Sequence, residues 1–434
     1  MRHRSIGTVA VCVLAAAGLS VGAAPATIHA DPPVARDAGV IVEWNEITER
    51  TLVENAQPIF QSLLFYGFTA LAMYDAVVTI EGGYEPWSEL PGAHAHASPE
   101  VAAATAAYQV LVHYFPNSAA ALSASYEASQ ADVPEGVGKV HGIRVGEDAS
   151  AALIARHLEE GIGATLAPPF DEPLEAGEWR PTPPANLPMA TAWLGFMDPL
   201  VLVSPTAIPL SGPPALDSAQ YAAEFAEVRD YGAAASVGDF VLQRTPEQTA
   251  TALFHTVAPR FQHLEAIRDQ ITGRDLDIID AAHALAVFDA SLADVAIACW
   301  RAKYDYVFWR PVTAIALADS DGNPATQAVP GWTPLRPTPP YPDFVSGHAC
   351  FVGSVSGSLD NLFGPGPLER PYTMKSYIDG VSNRSYPTTH ALDIETMNAR
   401  IWNGFHFRSA MTAGNALGHT VADTVAGILR PSTS

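Results

Sequence analysis

Seven residues in the second half of the chain are of the types that hold a tetrahedral oxyanion. Lys303 and Arg310 lie in KYDYVFWRP, and Ser346, Gly347 and His348 lie in the stretch YPDFVSGHACFVGSVSGSL that begins at Tyr341. Arg400 and His406 lie in ARIWNGFHFRSAMTAGNALG. A lysine offers a compact charge and an arginine a planar fork of N–H donors, which together suit an anion with several oxygens. A serine ahead of a helix caps it and leaves backbone N–H groups free at its positive end. The Ser346 hydroxyl, the Gly347 N–H and the His348 imidazole therefore gather at one anion-attracting helix start. Glycine at 347 lets the backbone come close to a bound oxygen. Positive neighbours push His406 toward its neutral form, the form that ligates a metal or attacks phosphorus. The expected occupant is vanadate or phosphate. Taken singly, each motif also has an ordinary reading: basic groups compensating a helix end, a capped helix, or a buried structural histidine.

Helices must carry these residues. Pro311 disfavours helical geometry at Arg310, so the arginine leaves the end of a long apolar helix over residues 276–304 and points into a loop-lined cavity. A second helix starts near Ser346. A third, from about Leu392, delivers Arg400, is broken at Asn403-Gly404, and leaves His406 at the start of the next helix with Ser409 as its cap. Helical spacing of apolar residues also marks 55–80, 98–108, 147–158, 220–231, 247–257 and 260–271. No stretch alternates for long as a strand would, and no internal repeat or low-complexity tract is present. The fold class is mainly α, a helical bundle with long Pro-rich ordered loops.

Four regions follow: a signal peptide over residues 1–30, an N-terminal helical half over 31–165, a Pro-rich wrapping segment over 166–217, and a C-terminal helical half over 218–434 that carries the oxyanion site. Arg2 and Arg4, an apolar stretch and small residues before Asp31 fit Sec-type export, cleaved after Ala26 or Ala30; an N-terminal membrane anchor is the competing reading. Trp179, Trp193 and Phe196 give the Pro-rich segment too many aromatics for a flexible linker.

The formal charge is −23, and loss of Arg2 and Arg4 takes it to −25. Such an acidic chain is a poor nucleic-acid binder, and its field opposes anions, so an anion site requires locally concentrated Lys, Arg and His. Beyond the leader the cysteines are Cys299 and Cys350, too few for a metal framework and free to be one disulfide or two thiols. His94 and His96 have the look of a metal pair but lack a third ligand at useful spacing, which favours an exposed loop.

The ordered set of motifs resembles the bacterial vanadium-dependent haloperoxidases, within the type 2 phosphatidic acid phosphatase superfamily. That pattern is Lys, six residues, Arg-Pro; then Pro-Ser-Gly-His; then Ser-Arg, five residues, His. Here it is matched by Lys303, Arg310 and Pro311, by Ser346, Gly347 and His348, and by Arg400 and His406. MYDAVVTIEGGYEPW, GEWRPTPP, RTPEQTA and AIACWRAKYDYVFWRPVTAI extend the likeness over most of the mature chain. Three positions depart from the pattern: Val345 replaces Pro, Ala399 replaces Ser, and Ala410 stands where an Asp often orients the imidazole. Another acceptor, such as a backbone carbonyl, must then fix His406. Asp343 is placed to partner His348.

The resemblance implies a secreted haloperoxidase with vanadate as cofactor. In it, vanadate binds through His406 and its oxygens are held by Lys303, Arg310, Arg400, Ser346 and the Gly347 N–H. His348 is the acid-base group and Lys303 polarises peroxide. Hydrogen peroxide, a halide and a small organic substrate are the implied partners, with no nucleic acid, no stable membrane span after cleavage, and a homodimer as the assembly to look for. Tyr341 occupies the family's halide-pocket position and Trp309 adjoins Arg310, so either is a candidate to line the pocket, with aromatic packing as the ordinary reading of both. Two other readings remain: a secreted acid phosphatase with a phosphohistidine at His406, and a non-catalytic oxyanion-binding member.

Overall fold

The computed structural model describes residues 38–157, 161–166, 174–257 and 259–433, all within one compact unit, Arg36–Ser434. The expected signal segment lies outside the described residues. The N-terminal helices are α1 (Gly39–Glu54), α2 (Ile59–Glu81), α3 (Pro99–Tyr114), α4 (Ala119–Ser129) and α5 (Val137–His157). After the Pro-rich stretch come α6 (Ala219–Gly232), α7 (Pro246–Val257), α8 (Pro259–Thr272), α9 (Ile278–Tyr306), α10 (Pro311–Ala316) and α11 (Gly347–Phe363). An antiparallel hairpin, β1 (Pro367–Met374) and β2 (Arg384–Thr388), leads into α12 (Thr389–Trp402) and α13 (Arg408–Ile428). The hairpin is absent from the sequence reading because Pro371 and the short strands mask its alternation, although burial along β1 places Leu368, Tyr372 and Met374 inward.

The centre of the bundle is α9. Asp277 caps its start by accepting the Asp280 N–H, and apolar residues cover nearly its whole circumference. It packs on α2, α11 and α13. Both α2 and α9 are long and apolar enough to cross a membrane, but they are the buried core helices here. At Gly67 of α2 an added Cβ would lie 2.9 Å from Ala293 and 2.7 Å from Leu200, so glycine sets how near α2 comes to α9.

The α11–α13 crossing is closer still. A Cβ on Gly418 would lie 2.3 Å from the Cys350 carbonyl and 2.5 Å from the Ser354 nitrogen, and one on Gly353 would lie 2.2 Å from the Asn415 carbonyl. Backbone therefore meets backbone, and the starts of α11 and α13 are fixed against each other.

The described part of the Pro-rich segment is tied to α9. Asp294, fully buried, accepts the N–H groups of Leu200, Val201 and Leu202 at 2.6, 2.9 and 2.7 Å. Further along, Trp179 N–H donates to Val307 and Trp309 N–H to Gly177, so the segment clamps the turn that follows α9. Loss of the Asp294 carboxylate would leave three buried donors unsatisfied, each worth about 1 kcal/mol or more. Asp294→Ala should lower the stability of the unit by about 3 kcal/mol, read as a reduced urea midpoint, whereas Asp294→Asn should lose less.

Candidate functional site

The sequence-predicted residues converge where α9, α10, α11, α12 and α13 begin or end. Helix α9 stops when Val307 takes a left-handed conformation at φ 48, and Arg310 becomes the N-cap residue of α10 with Pro311 behind it. The arginine leaves the helix end as its spacing to proline required. Ser346 caps α11, its oxygen accepting the Ala349 N–H at 3.4 Å while its own N–H donates to Ala410. Arg400 sits in the last turn of α12, and Gly404, at φ 77, turns the chain so that His406 precedes α13. Ser409 does not cap α13 as expected: its N–H and hydroxyl both donate to Glu224 on α6.

Lys303, Arg310, Ser346, Arg400 and His406 are all buried to 1% exposure or less. Arg310 donates from Nε to the Tyr341 carbonyl at 2.7 Å and from Nη1 to the Phe405 carbonyl at 2.8 Å. Its Nη1 also lies 3.0 Å from His406 Nε2 and 3.3 Å from Nδ1. Its Nη2 is buried without a partner. Arg400 donates from Nη1 to Thr256 Oγ1 at 3.2 Å, and its Nε is likewise unpartnered. His348 adds a third buried nitrogen without a partner, Nε2.

Lys303 contributes differently from the sequence expectation. An ammonium has three protons, and the carbonyls of Pro342, Asp343 and Val345 take them, the first two at 2.8 and 3.2 Å. In this structure Lys303 adds its charge to the cradle and pins the loop ahead of Ser346, rather than donating into the cradle. Gly347 also has another reason: a Cβ there would lie 2.9 Å from the Phe60 ring and 3.4 Å from Trp300.

The group beside His406 that the sequence left unidentified is Asp343. Its Oδ1 lies 2.9 Å from His406 Nδ1 and 3.9 Å from Arg310 Nη1, and the Phe407 N–H faces its carboxyl. The carboxylate therefore approaches His406 rather than His348, at ion-pair distance but outside hydrogen-bond geometry, since neither of its oxygens has a hydrogen-bond partner. The Arg310 Nη1 donor, 3.0 Å from Nε2, favours a lone pair on that nitrogen and the proton on Nδ1, the side toward Asp343. Burial pushes the Asp343 carboxyl up to about 7 against the pull of Arg310 and Lys303. Burial also pulls the Lys303 ammonium down to about 8, with Cys299 opposing and Arg310 adding to the effect.

His406 is held well below its ordinary value by burial, then by Arg310, Lys303 and Arg400. His348 is held down by burial, then by Arg400, His263, His255 and Arg310. Both are neutral near pH 7. Three cations, Lys303, Arg310 and Arg400, face one carboxylate, leaving a buried excess of positive charge, three unpartnered nitrogens and the two Asp343 oxygens, which likewise lack a hydrogen-bond partner. This donor set fits a multiply charged tetrahedral oxyanion.

His348 stands between this cradle and a narrow cleft formed by the start of α2 with α7, α8, α11 and α12. Its walls include Phe60, Phe351, Arg260 and His263, with His255 and Thr396 nearby. None of these was selected from the sequence; the only signal was the unusual density of His255, Arg260 and His263 between two helices. Burial lowers His263 to about 3, while its Nδ1 lies 3.0 Å from the Tyr372 hydroxyl on the hairpin. Tyr341 forms the opposite wall of the cradle, its ring 5.0 Å from Lys303 Nζ and 4.9 Å from Arg310 Cζ. Trp309 is not a wall of the cleft; it is fully buried beside Tyr221. Cys299 and Cys350 are adjacent buried thiols beneath the cradle. His94 lies in an exposed loop stacked on His141 at 4.2 Å, and no metal-binding cluster occurs among the described residues.

Residues 283–432 match the family model described as the VCPO second helical-bundle domain. A vanadium chloroperoxidase from Curvularia inaequalis is 28% identical over 139 residues, covering 26% of this chain and 22% of that protein, so the match spans about a fifth of the relative's length. The structure of the first bacterial vanadium-dependent iodoperoxidase superposes with a TM-score of 0.73 at 20% identity, covering 93% of this chain and 99% of that one. A holo-type bacterial vanadium-dependent chloroperoxidase gives 0.65 at 16% identity over 86% and 92% of the two chains.

Two measurements follow from the electrostatics. An unfolded histidine titrates near 6.5, whereas folded His348 and His406 resist protonation. Each therefore adds stability that is complete above about pH 6.5 and is lost as pH falls below it. Histidine NMR signals of the oxyanion-free protein should show both rings neutral at pH 6, and a titrating signal for either near 6.5 would contradict this. Asp343→Ala should weaken orthovanadate binding by about 10–100-fold in calorimetry. Tighter binding would mean that the carboxylate acts through its charge and not through its hold on His406.

Proposed function

We propose that this protein is a vanadium-dependent haloperoxidase, because residues 283–432 match the model of the VCPO second helical-bundle domain and the described chain has the fold seen in bacterial vanadium haloperoxidases. Its reaction would be oxidation of a halide by hydrogen peroxide to a hypohalous acid equivalent. The observation that carries the reading is the buried excess of positive charge around a neutral His406 whose Nδ1 faces Asp343.

His406 would hold vanadate through Nε2, with Arg310, Arg400 and the Ser346 hydroxyl toward its oxygens. Bound vanadate supplies a Lewis-acid centre that activates peroxide without a change of metal oxidation state. The chain's part is to neutralise, orient and move protons. The unpartnered Nη2 of Arg310 and Nε of Arg400 would gain acceptors from the anion. Lys303 keeps the 342–345 loop in place while lending its charge at short range. His348, neutral and at the edge of the cleft, would accept a proton at Nε2 from peroxide and pass it to a departing hydroxide, which leaves as water. Burial of the cradle keeps bulk water from competing for these donors.

The same donors suit phosphate, so the test includes both chemistries. Protein loaded with orthovanadate should halogenate a diketone acceptor with peroxide and iodide, bromide or chloride. His406→Ala should reduce this by at least about 100-fold. No vanadate-dependent halogenation, together with phosphate ester hydrolysis that His406→Ala abolishes, would replace this reading with a phosphatase.

A further inference from the structure

We propose that Cys299 and Cys350 form a site of oxidative modification: hydrogen peroxide that reaches the underside of the cradle converts Cys299 to a sulfenic acid, and Cys350 closes it to a disulfide tying α9 to α11. The inference goes beyond the haloperoxidase reading, because it needs neither vanadate nor halide.

The two thiols come from different helices and meet inside the bundle. Both are free, each is 1% exposed, and they lie within hydrogen-bonding reach of each other. Cys299 stands one turn before Lys303 on α9, and its Sγ donates to the Val345 carbonyl at 3.7 Å. That carbonyl also accepts from Lys303 Nζ, so a single oxygen joins the Cys299 sulfur to a cation of the cradle. Cys350 follows His348 in the first turn of α11. On the α13 side its sulfur faces Gly414, where an added Cβ would lie 3.3 Å away, so glycine leaves the sulfur room to turn toward Cys299. A neutral molecule little larger than water, peroxide reaches this pair by the route that any ligand of the cradle must take.

The pair is unequal, as a reactive thiol and its resolving partner are. Burial raises Cys299, but its bond to Cys350 and then the charges of Lys303 and Arg310 outweigh burial and hold it below the ordinary thiol value. Burial raises Cys350, and its bond to Cys299 raises it further, well above that value. The thiolate is the nucleophile, so Cys299 reacts first. Its sulfur attacks one peroxide oxygen and the O–O bond breaks. The other oxygen leaves as hydroxide and takes up the thiol proton as water. The Cys350 sulfur then attacks the sulfenic sulfur: an S–S bond forms, the S–O bond breaks, and the departing hydroxide carries off the Cys350 proton as a second water. Two thiols have lost two electrons and two protons, and one peroxide has become two waters. Closure to a disulfide diverts Cys299 from the irreversible sulfinic and sulfonic acids. It also fastens the helix end that carries Lys303 to the helix start that carries Ser346 and His348.

Peptide mass mapping of vanadate-free protein, exposed to hydrogen peroxide and then unfolded and alkylated, tests this. Untreated protein should alkylate at both residues. Treated protein should alkylate at neither, and its non-reducing map should contain one linked pair of peptides, carrying Cys299 and Cys350, that dithiothreitol separates. The oxidised form should unfold at higher urea concentration than the reduced form, since the cross-link restricts the unfolded chain. Cys350→Ala should trap Cys299 as a sulfenic acid that dimedone labels, and Cys299→Ala should slow oxidation of Cys350 by on the order of tenfold. Thiols that stay alkylatable after peroxide, a disulfide that forms only in urea, or Cys350 oxidising as fast without Cys299 would each overturn the proposal. The wild-type map depends on no variant folding. The linked pair in a protein that fails to halogenate upholds the site while the haloperoxidase reading falls. Halogenation by a protein whose two thiols stay reduced under peroxide does the opposite.

Discussion

Everything at this site follows from burying Lys303, Arg310 and Arg400 together with a single carboxylate in a chain of formal charge −23. Cations at this depth repel one another and lose hydration, so the fold must hold them by force of geometry. It does so with carbonyls. Lys303 spends its protons on three of them, Arg310 on those of Tyr341 and Phe405, and the chain segments bearing these carbonyls are in turn fixed by α9 and by the start of α13. The cations organise the loops and the loops confine the cations. What remains after this mutual satisfaction is a small set of unpartnered nitrogens and a net charge that only an anion can compensate.

The rest of the architecture serves that arrangement. Glycines 353 and 418 bring the α11 and α13 backbones into contact, which fixes Ser346 and His348 relative to His406. Arg244, in the RTPEQTA motif, donates to the carbonyls of Tyr231, Ala233 and Trp402, and so secures the chain just beyond Arg400. Asn403 reaches back to Thr256, the residue that also receives Arg400 Nη1. The Pro-rich segment clamps residues 307–309 from outside, with Asp343 N–H donating to the Phe308 carbonyl on the inner side. Motifs that look like sequence decoration are therefore tethers for the three segments that hold charge.

The helical class and the cradle were legible because both are written in short-range signals: apolar spacing, Pro311 after Arg310, Ser346 before a helix, Gly404 after one. Pairings across the fold were not. Asp343 is five residues from His348 in sequence, which made that histidine the obvious partner, yet a side chain leaving an irregular loop points where the loop turns, and this one turns toward His406. Gly347 invited an explanation from the ligand, while its tightest contact is Phe60, nearly three hundred residues earlier. Ser409 has a cap residue's chemistry but meets Glu224 first. Arg260, His255 and His263 carry no motif at all, and only the packing of α7 and α8 against α11 and α12 shows that they share a cleft.

His348 lines that cleft and also feels the cations of the cradle. The cradle is dry, strongly positive and rich in directional donors, so it favours a multiply charged ligand with oxygens to receive them. The cleft is lined by Arg260, by imidazoles that burial keeps uncharged and by aromatic walls. A neutral His348 can stand between them without adding a fourth cation to the cradle, and it is kept neutral by burial first and then by Arg400, His263, His255 and Arg310 on both sides. Were it charged, it would repel Arg400 and Arg310. Its depressed basicity is therefore a consequence of where the fold puts it.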